Sequence, residues 1–79
     1  MVTVHRAFGF RFVIFTNDHS PPHVHIFGAG GEAKITLEGP TGLTLDWMAG
    51  ISQADMRRIM REVERERARL IAEWRTIHG

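Results

Sequence analysis

Apolar and polar positions alternate through the first half of the chain and recur every three or four residues through the second. "VTVHRAF" and "FRFVIF" are rich in β-branched and aromatic residues and are separated by Gly9, which predicts two tightly joined strands over 2–8 and 10–15. The second is apolar except at Arg11, as in a central strand with packing on one face and a partner or substrate on the other. "TNDHSPP" breaks the pattern, because proline has no amide donor and Asn-Asp favours turns. A third strand is predicted over 23–28, followed by a "GAGG" turn. A fourth, over 32–38, turns Ala33, Ile35 and Leu37 to one face. "LTLDW" at 43–47 reads as a short fifth strand with Leu43, Leu45 and Trp47 on one side.

From Ser52 onward the period changes. Ser52 has the chemistry of an N-cap, Asp55 stands three residues on like the acidic member of a capping box, and Ile51 with Met56 fits a hydrophobic staple. Met56, Ile59, Met60, Val63, Leu70, Ile71, Trp74 and Ile77 then form one stripe, predicting a helix over 53–77 that lies across the sheet. The expected fold class is α+β. A four- to five-stranded sheet, antiparallel or mixed, is covered on one face by one long C-terminal helix, all within a single domain over 1–79.

Composition narrows the functional classes. At 79 residues the chain is expected to bury only about 60% of its unfolded surface, enough for one core and no second domain. Zero cysteines exclude disulfides and thiolate metal sites, so any bound metal must use imidazole and carboxylate ligands. No long apolar run and no secretory leader pattern occurs, so a cytoplasmic protein without membrane contact is expected. The net charge of +1 neither supports nor excludes an RNA substrate. The charged run "RRIMREVERERAR" matches oppositely charged residues three apart (Arg61 with Glu64, Glu62 with Arg65, Glu64 with Arg67, Glu66 with Arg69), as on a self-paired solvated helix face.

The candidate chemistry is concentrated in "DHSPPHVHIF", residues 18–27, which hold three of the five histidines. Side chains two apart on a strand share a face, so His23 and His25 point away from Val24 and Ile26. If Val24 and Ile26 lie under the helix, both imidazoles emerge on the open face, beside Glu32, Lys34 and Thr36 of the next strand and Arg11 of the previous one. Asp18 and His19 sit at the lip. Exposed strand histidines often only hydrogen-bond nearby loops. Three in seven residues point further, to one of two chemistries. In a metal site, His23 and His25 would converge on a transition metal, with His19 or Asp18 completing the set; an all-histidine set would be His19, His23 and His25. In metal-free phosphodiester cleavage, His23, His25 and His19 would move protons while Lys34 and Arg11 stabilise the charged transition state, with Asp18 and Glu32 contacting substrate. That second chemistry needs no cofactor. A histidine-triad nucleotide site fits poorly, because its third alternating position is Phe27.

The chain resembles a family of small bacterial proteins, domain-of-unknown-function family 4160, over essentially its whole length. The resemblance is carried by "RAFGFRFVIF", "NDHSPPHVHI", "GEAKITL" and a helix that begins after "AGIS" and ends near "EWRTIHG"; Asn17 to Ile26 is its most specific part. Asp18, His19, Pro21, Pro22, His23 and His25 fall on the family's signature, and Glu32 and Lys34 on its following strand. The resemblance implies a candidate toxin of a two-protein toxin–antitoxin module, encoded beside a small antitoxin-like partner of uncharacterised family 2442. It implies no particular chemistry. The functional expectation is therefore a toxin that cleaves RNA through its histidine cluster, or a non-catalytic metal-binding or protein-interaction module. Homo-oligomerisation is open in either case.

Overall fold

A computed structural model describes residues 1–79. Five strands precede one helix: β1 (Val2–Ala7), β2 (Phe10–Ile14), β3 (His23–Gly28), β4 (Gly31–Gly39), β5 (Gly42–Ala49) and α1 (Gln53–His78). Each strand pairs antiparallel with its sequence neighbours, giving the spatial order β1-β2-β3-β4-β5. Of the two sheet types the sequence allows, the purely antiparallel one forms, with the fifth strand present and running eight residues.

Short connections explain the meander. β1 and β2 are joined by Phe8 and Gly9 (φ 57° and 81°), and β3 and β4 by Ala29 and Gly30 (φ 52° and 76°). Positive φ at both loop positions is the pattern of a type I′ hairpin turn, whose twist matches that of the flanking strands. The "GAGG" stretch is thus a defined two-residue turn. Gly31 serves a different purpose: a Cβ there would meet the Gly50 carbonyl and lie 2.6 Å from Ile51 Cγ1. Only a glycine lets the start of β4 lie against the segment that leads into the helix.

Alternation sorts the side chains. Phe10, Phe12 and Ile14 of β2, Val24 and Ile26 of β3, and Ala33, Ile35 and Leu37 of β4 form one apolar layer under α1. The helix answers with Met56, Ile59, Val63, Leu70, Ile71 and Trp74. Ser52 caps it by accepting a hydrogen bond from the Asp55 amide at 3.1 Å, and both staple residues, Ile51 and Met56, are buried. The stripe is interrupted between Val63 and Leu70. There Arg67 sits one turn after Val63 and donates from Nε to the Leu37 carbonyl at 2.7 Å, so a cation with an apolar stem closes the gap.

Of the four expected charge pairs along the helix, Glu62–Arg65 and Glu66–Arg69 form. Arg67 turns to the sheet instead, and Arg61 has no ion-pair partner. At the β1 edge, Glu62 also meets His5 Nε2 at 2.6 Å, while Arg69 reaches His5 Nδ1 at 2.7 Å and the Val4 carbonyl at 3.1 Å. No helix is long and apolar enough to cross a membrane.

Candidate functional site

The loop between β2 and β3 builds the site. After Ile14 the chain turns, with the Asp18 amide donating to the Phe15 carbonyl at 3.2 Å, and then passes through a cis Ser20–Pro21 bond. Pro22 cannot donate from its nitrogen, but its carbonyl accepts from the Leu37 amide at 2.8 Å, which starts the pairing of β3 with β4 one residue early. The loop is thereby folded back so that the Asp18 carboxylate reaches the two histidines that follow it.

His23 and His25 share the face opposite the core layer, since Val24 and Ile26 are fully buried beneath α1. They are less exposed than expected: His23 retains only 5% of its accessible surface. The His25 ring stands edge-on to Phe15 at 4.6 Å and 5.3 Å from His23, and stacks loosely on Phe27 at 6.4 Å. Trp74, near the end of the helix, lies 6.5 Å from His23 and carries His78 stacked on it at 3.7 Å. His78 Nε2 in turn lies 3.1 Å from the Phe15 carbonyl, so the last helical turn is tied to the start of the loop.

Three donor groups converge here. Asp18 Oδ2 lies 3.0 Å from His23 Nε2 and 3.6 Å from His25 Nε2. Neither approach has hydrogen-bond geometry, so Asp18 Oδ2 is buried with no hydrogen-bond partner, and so is His25 Nδ1. Only one other buried side-chain polar atom in the chain is unpartnered, the neighbouring Trp74 Nε1. His23 Nδ1, by contrast, lies 2.9 Å from the Pro21 carbonyl. A carbonyl can only accept, which places a ring proton on Nδ1; in the neutral imidazole the Nε2 lone pair then faces Asp18. Burial lowers the pKa of His25 below its ordinary 6.5, against the opposing pull of Asp18. His25 is therefore neutral at physiological pH, with a lone pair of its own to offer.

The pattern fits a metal site on three counts. Asp18, His23 and His25 each offer one ligand atom, all within 4.8 Å of one another. A tetrahedral centre with bonds of about 2.0–2.1 Å separates its ligands by about 3.3 Å, between the two Asp18–imidazole distances above. An imidazole whose second nitrogen is fixed by a backbone carbonyl is the usual form of a metal-ligating histidine. A neutral His23 with its proton on Nδ1 turns a second acceptor toward the Asp18 carboxylate, a pairing that a cation between them would satisfy.

The remaining expected site residues fall in different places. His19 lines the same polar cavity of about 240 Å³, but its side chain is exposed and does not join the converging atoms. The converging atoms belong to Asp18, His23 and His25, so of the two completing residues the sequence allows, Asp18 is the one brought in. Lys34 is the cross-strand partner of His25 and lines the cavity together with Thr36. Arg11 and Glu32 flank Phe27 in neighbouring strands and are not in the cavity wall; the Arg11 guanidinium lies 5.7 Å from the Phe27 ring centre. Thr36 donates to Asp46 at 2.5 Å, which keeps that second carboxylate occupied on β5.

A family model described as "Domain of unknown function (DUF4160)" matches residues 9–75. The chain belongs to that family. The DUF4160 match takes in Asp18, His23, His25 and Lys34 and leaves His5 and His78 outside it. No curated protein and no solved structure matches the chain. The family description assigns no activity.

Sequence reasoning placed Asp18 at the lip of the site, but its buried carboxylate is the point on which both imidazoles bear. The proline pair between them marks a stiff entry to the strand, but not the fold-back that carries Asp18 over it. Trp74 and His78 were not foreseen as neighbours of the cluster. Nothing in the spacing of the helix stripe says which end of the sheet its last turn reaches.

Proposed function

We propose that this protein is a metal-dependent module in which Asp18, His23 and His25 hold one divalent first-row transition metal, zinc being the simplest. The observation that carries this is the buried Asp18 Oδ2, which has no hydrogen-bond partner and faces two imidazole nitrogens. Three protein ligands leave a coordination position for water or substrate, the arrangement of catalytic rather than structural sites. A bound metal would supply Lewis acidity and an activated water. Lys34, which has no ion-pair partner and lines the same cavity, suits that position to an anionic substrate such as a phosphate ester.

The test is untagged protein, assayed for metal content and titrated with zinc by calorimetry. One metal per chain is expected, lost in Asp18→Asn and in His25→Ala. Wild-type protein with no zinc affinity in the micromolar range, or variants that bind as well as wild type, would overturn the reading.

A second reading keeps the same residues without a metal. His23 and His25 would exchange protons with the 2′-hydroxyl and the leaving oxygen of RNA while Lys34 stabilises the charged phosphate, the chemistry of a cytoplasmic ribonuclease toxin held by a small antitoxin-like partner. What favours it is Lys34 beside His25 in a cavity lined mainly by polar residues. RNA cleavage that persists in chelator and is lost in His23→Ala would select it. Growth arrest on expression, equal for wild type and the folded variant, would remove the site from any toxic action.

A further inference from the structure

The two outer strands of the sheet are treated differently. At β1, the Arg69 guanidinium bonds the Val4 carbonyl and the His5–Glu62 pair stands beside it, so part of that edge is occupied by the chain itself. At β5, no side chain and no loop hydrogen-bonds the backbone. Eight residues of strand present an unpaired edge, the arrangement that invites another strand.

Directly beneath that edge is an apolar groove of about 430 Å³ between β5 and the first half of α1. Leu45 and Met48 line it from the sheet and Met56 and Met60 from the helix, with Arg57 and Arg61 at the rim. Three of the four apolar residues are methionines, which repack around varied side chains. The expected sharing of one face by Leu45 and Trp47 does not hold: an extra residue, Asp46, at a register shift turns Trp47 to the opposite face, as the cross-strand partner of Lys34, where it is 43% exposed. An added strand would therefore find apolar anchors on both of its faces.

The charges identify the occupant. Arg58, Arg65, Arg69 and Arg75 all have carboxylate partners within the chain, and Arg67 is bonded to the Leu37 carbonyl. Of the helix arginines only Arg57 and Arg61 have neither, and both belong to the groove; the sheet residues Arg6 and Arg11, also without a carboxylate partner, lie away from it. A second copy of this chain pairing edge to edge through β5 would bring two such arginine pairs into one shared groove, where like charges oppose association. We infer that β5 and this groove receive an extended segment of a different protein as a sixth strand. Its alternate residues are apolar and fill the methionine groove, and acidic residues beside them meet Arg57 and Arg61. This inference does not depend on the metal site.

The experiment is selection of a displayed library of random twelve-residue peptides on the wild-type chain, with counter-selection on Arg57→Glu/Arg61→Glu, two exposed positions where the fold is not at stake. Enriched peptides should alternate apolar with acidic residues, weaken with added salt, and lose at least tenfold in affinity for the double variant. Amide exchange should show new protection confined to β5. Peptides without acidic residues, protection that maps elsewhere, no enrichment over the counter-selected variant, or a dimer of the free chain that buries β5 would each overturn the inference.

Discussion

Asp18 Oδ2 and His23 Nε2 meet at 3.0 Å without hydrogen-bond geometry, while His23 Nδ1 faces the Pro21 carbonyl on the far side of the ring. With a neutral His23 the contact sets acceptor against acceptor, which a cation between them would relieve. Asp18→Asn separates the two states. Its amide can donate to the His23 Nε2 lone pair, so in chelator the variant should be more stable than wild type by about 1 kcal/mol. With zinc at about a hundred times its dissociation constant, wild type should gain about 2.7 kcal/mol and the variant nothing. Urea denaturation with and without zinc reads both, and a variant that is less stable in chelator contradicts the geometry.

Arg67 closes the gap in the helix stripe. Arg67→Met keeps the apolar stem but leaves the Leu37 carbonyl without its 2.7 Å donor. A loss of about 1–2 kcal/mol is expected by denaturant titration. Arg67→Lys should recover part of it. A neutral result for Arg67→Met would mean that water replaces the guanidinium at no cost.

Glu62 makes stability depend on pH. Its hydrogen bond with Arg65, and next that with His5, hold its carboxyl below the ordinary value of 4.5. A carboxylate with a depressed folded pKa adds stability that is fully present above its unfolded pKa and disappears as pH falls through the folded value. Glu62→Gln should therefore melt below wild type at neutral pH, with the difference closing under about pH 4.5 as both chains become uncharged at this position. Parallel melting curves across that range would show that the pairing contributes nothing.

Gly31→Ala places a methyl group against the Gly50 carbonyl and Ile51. Relief requires the backbone before α1 to move, at an expected cost of about 1–3 kcal/mol. The denaturant midpoint should fall with its slope unchanged.

The elements of this fold could be read from periodicity because each side chain's face is a local property: Val24 and Ile26 face inward for the same reason that His23 and His25 face outward. What the pattern does not contain is distance through space. The unpaired Asp18 oxygen depends on how an eight-residue loop with two prolines closes, and the diversion of Arg67 from Glu64 to the Leu37 carbonyl depends on how deeply the helix sits on the sheet. The exposure expected for the histidines failed for the same reason, since the loop that carries Asp18 also covers them. His19 shows the limit of spacing arguments: it is as close in sequence to His23 as a ligand needs to be, and it turns away.

The bond between His78 and the Phe15 carbonyl spans 63 residues, in a molecule whose strands otherwise close by turns of a few residues. Hairpins of this kind form early and locally, whereas contacts so distant along the chain wait for the helix to dock. The loop held by this bond is therefore expected to settle only when the last turn of the helix has docked. In refolding, metal uptake should lag behind the collapse of the core, so the appearance of the bound ion serves as a clock for the final step.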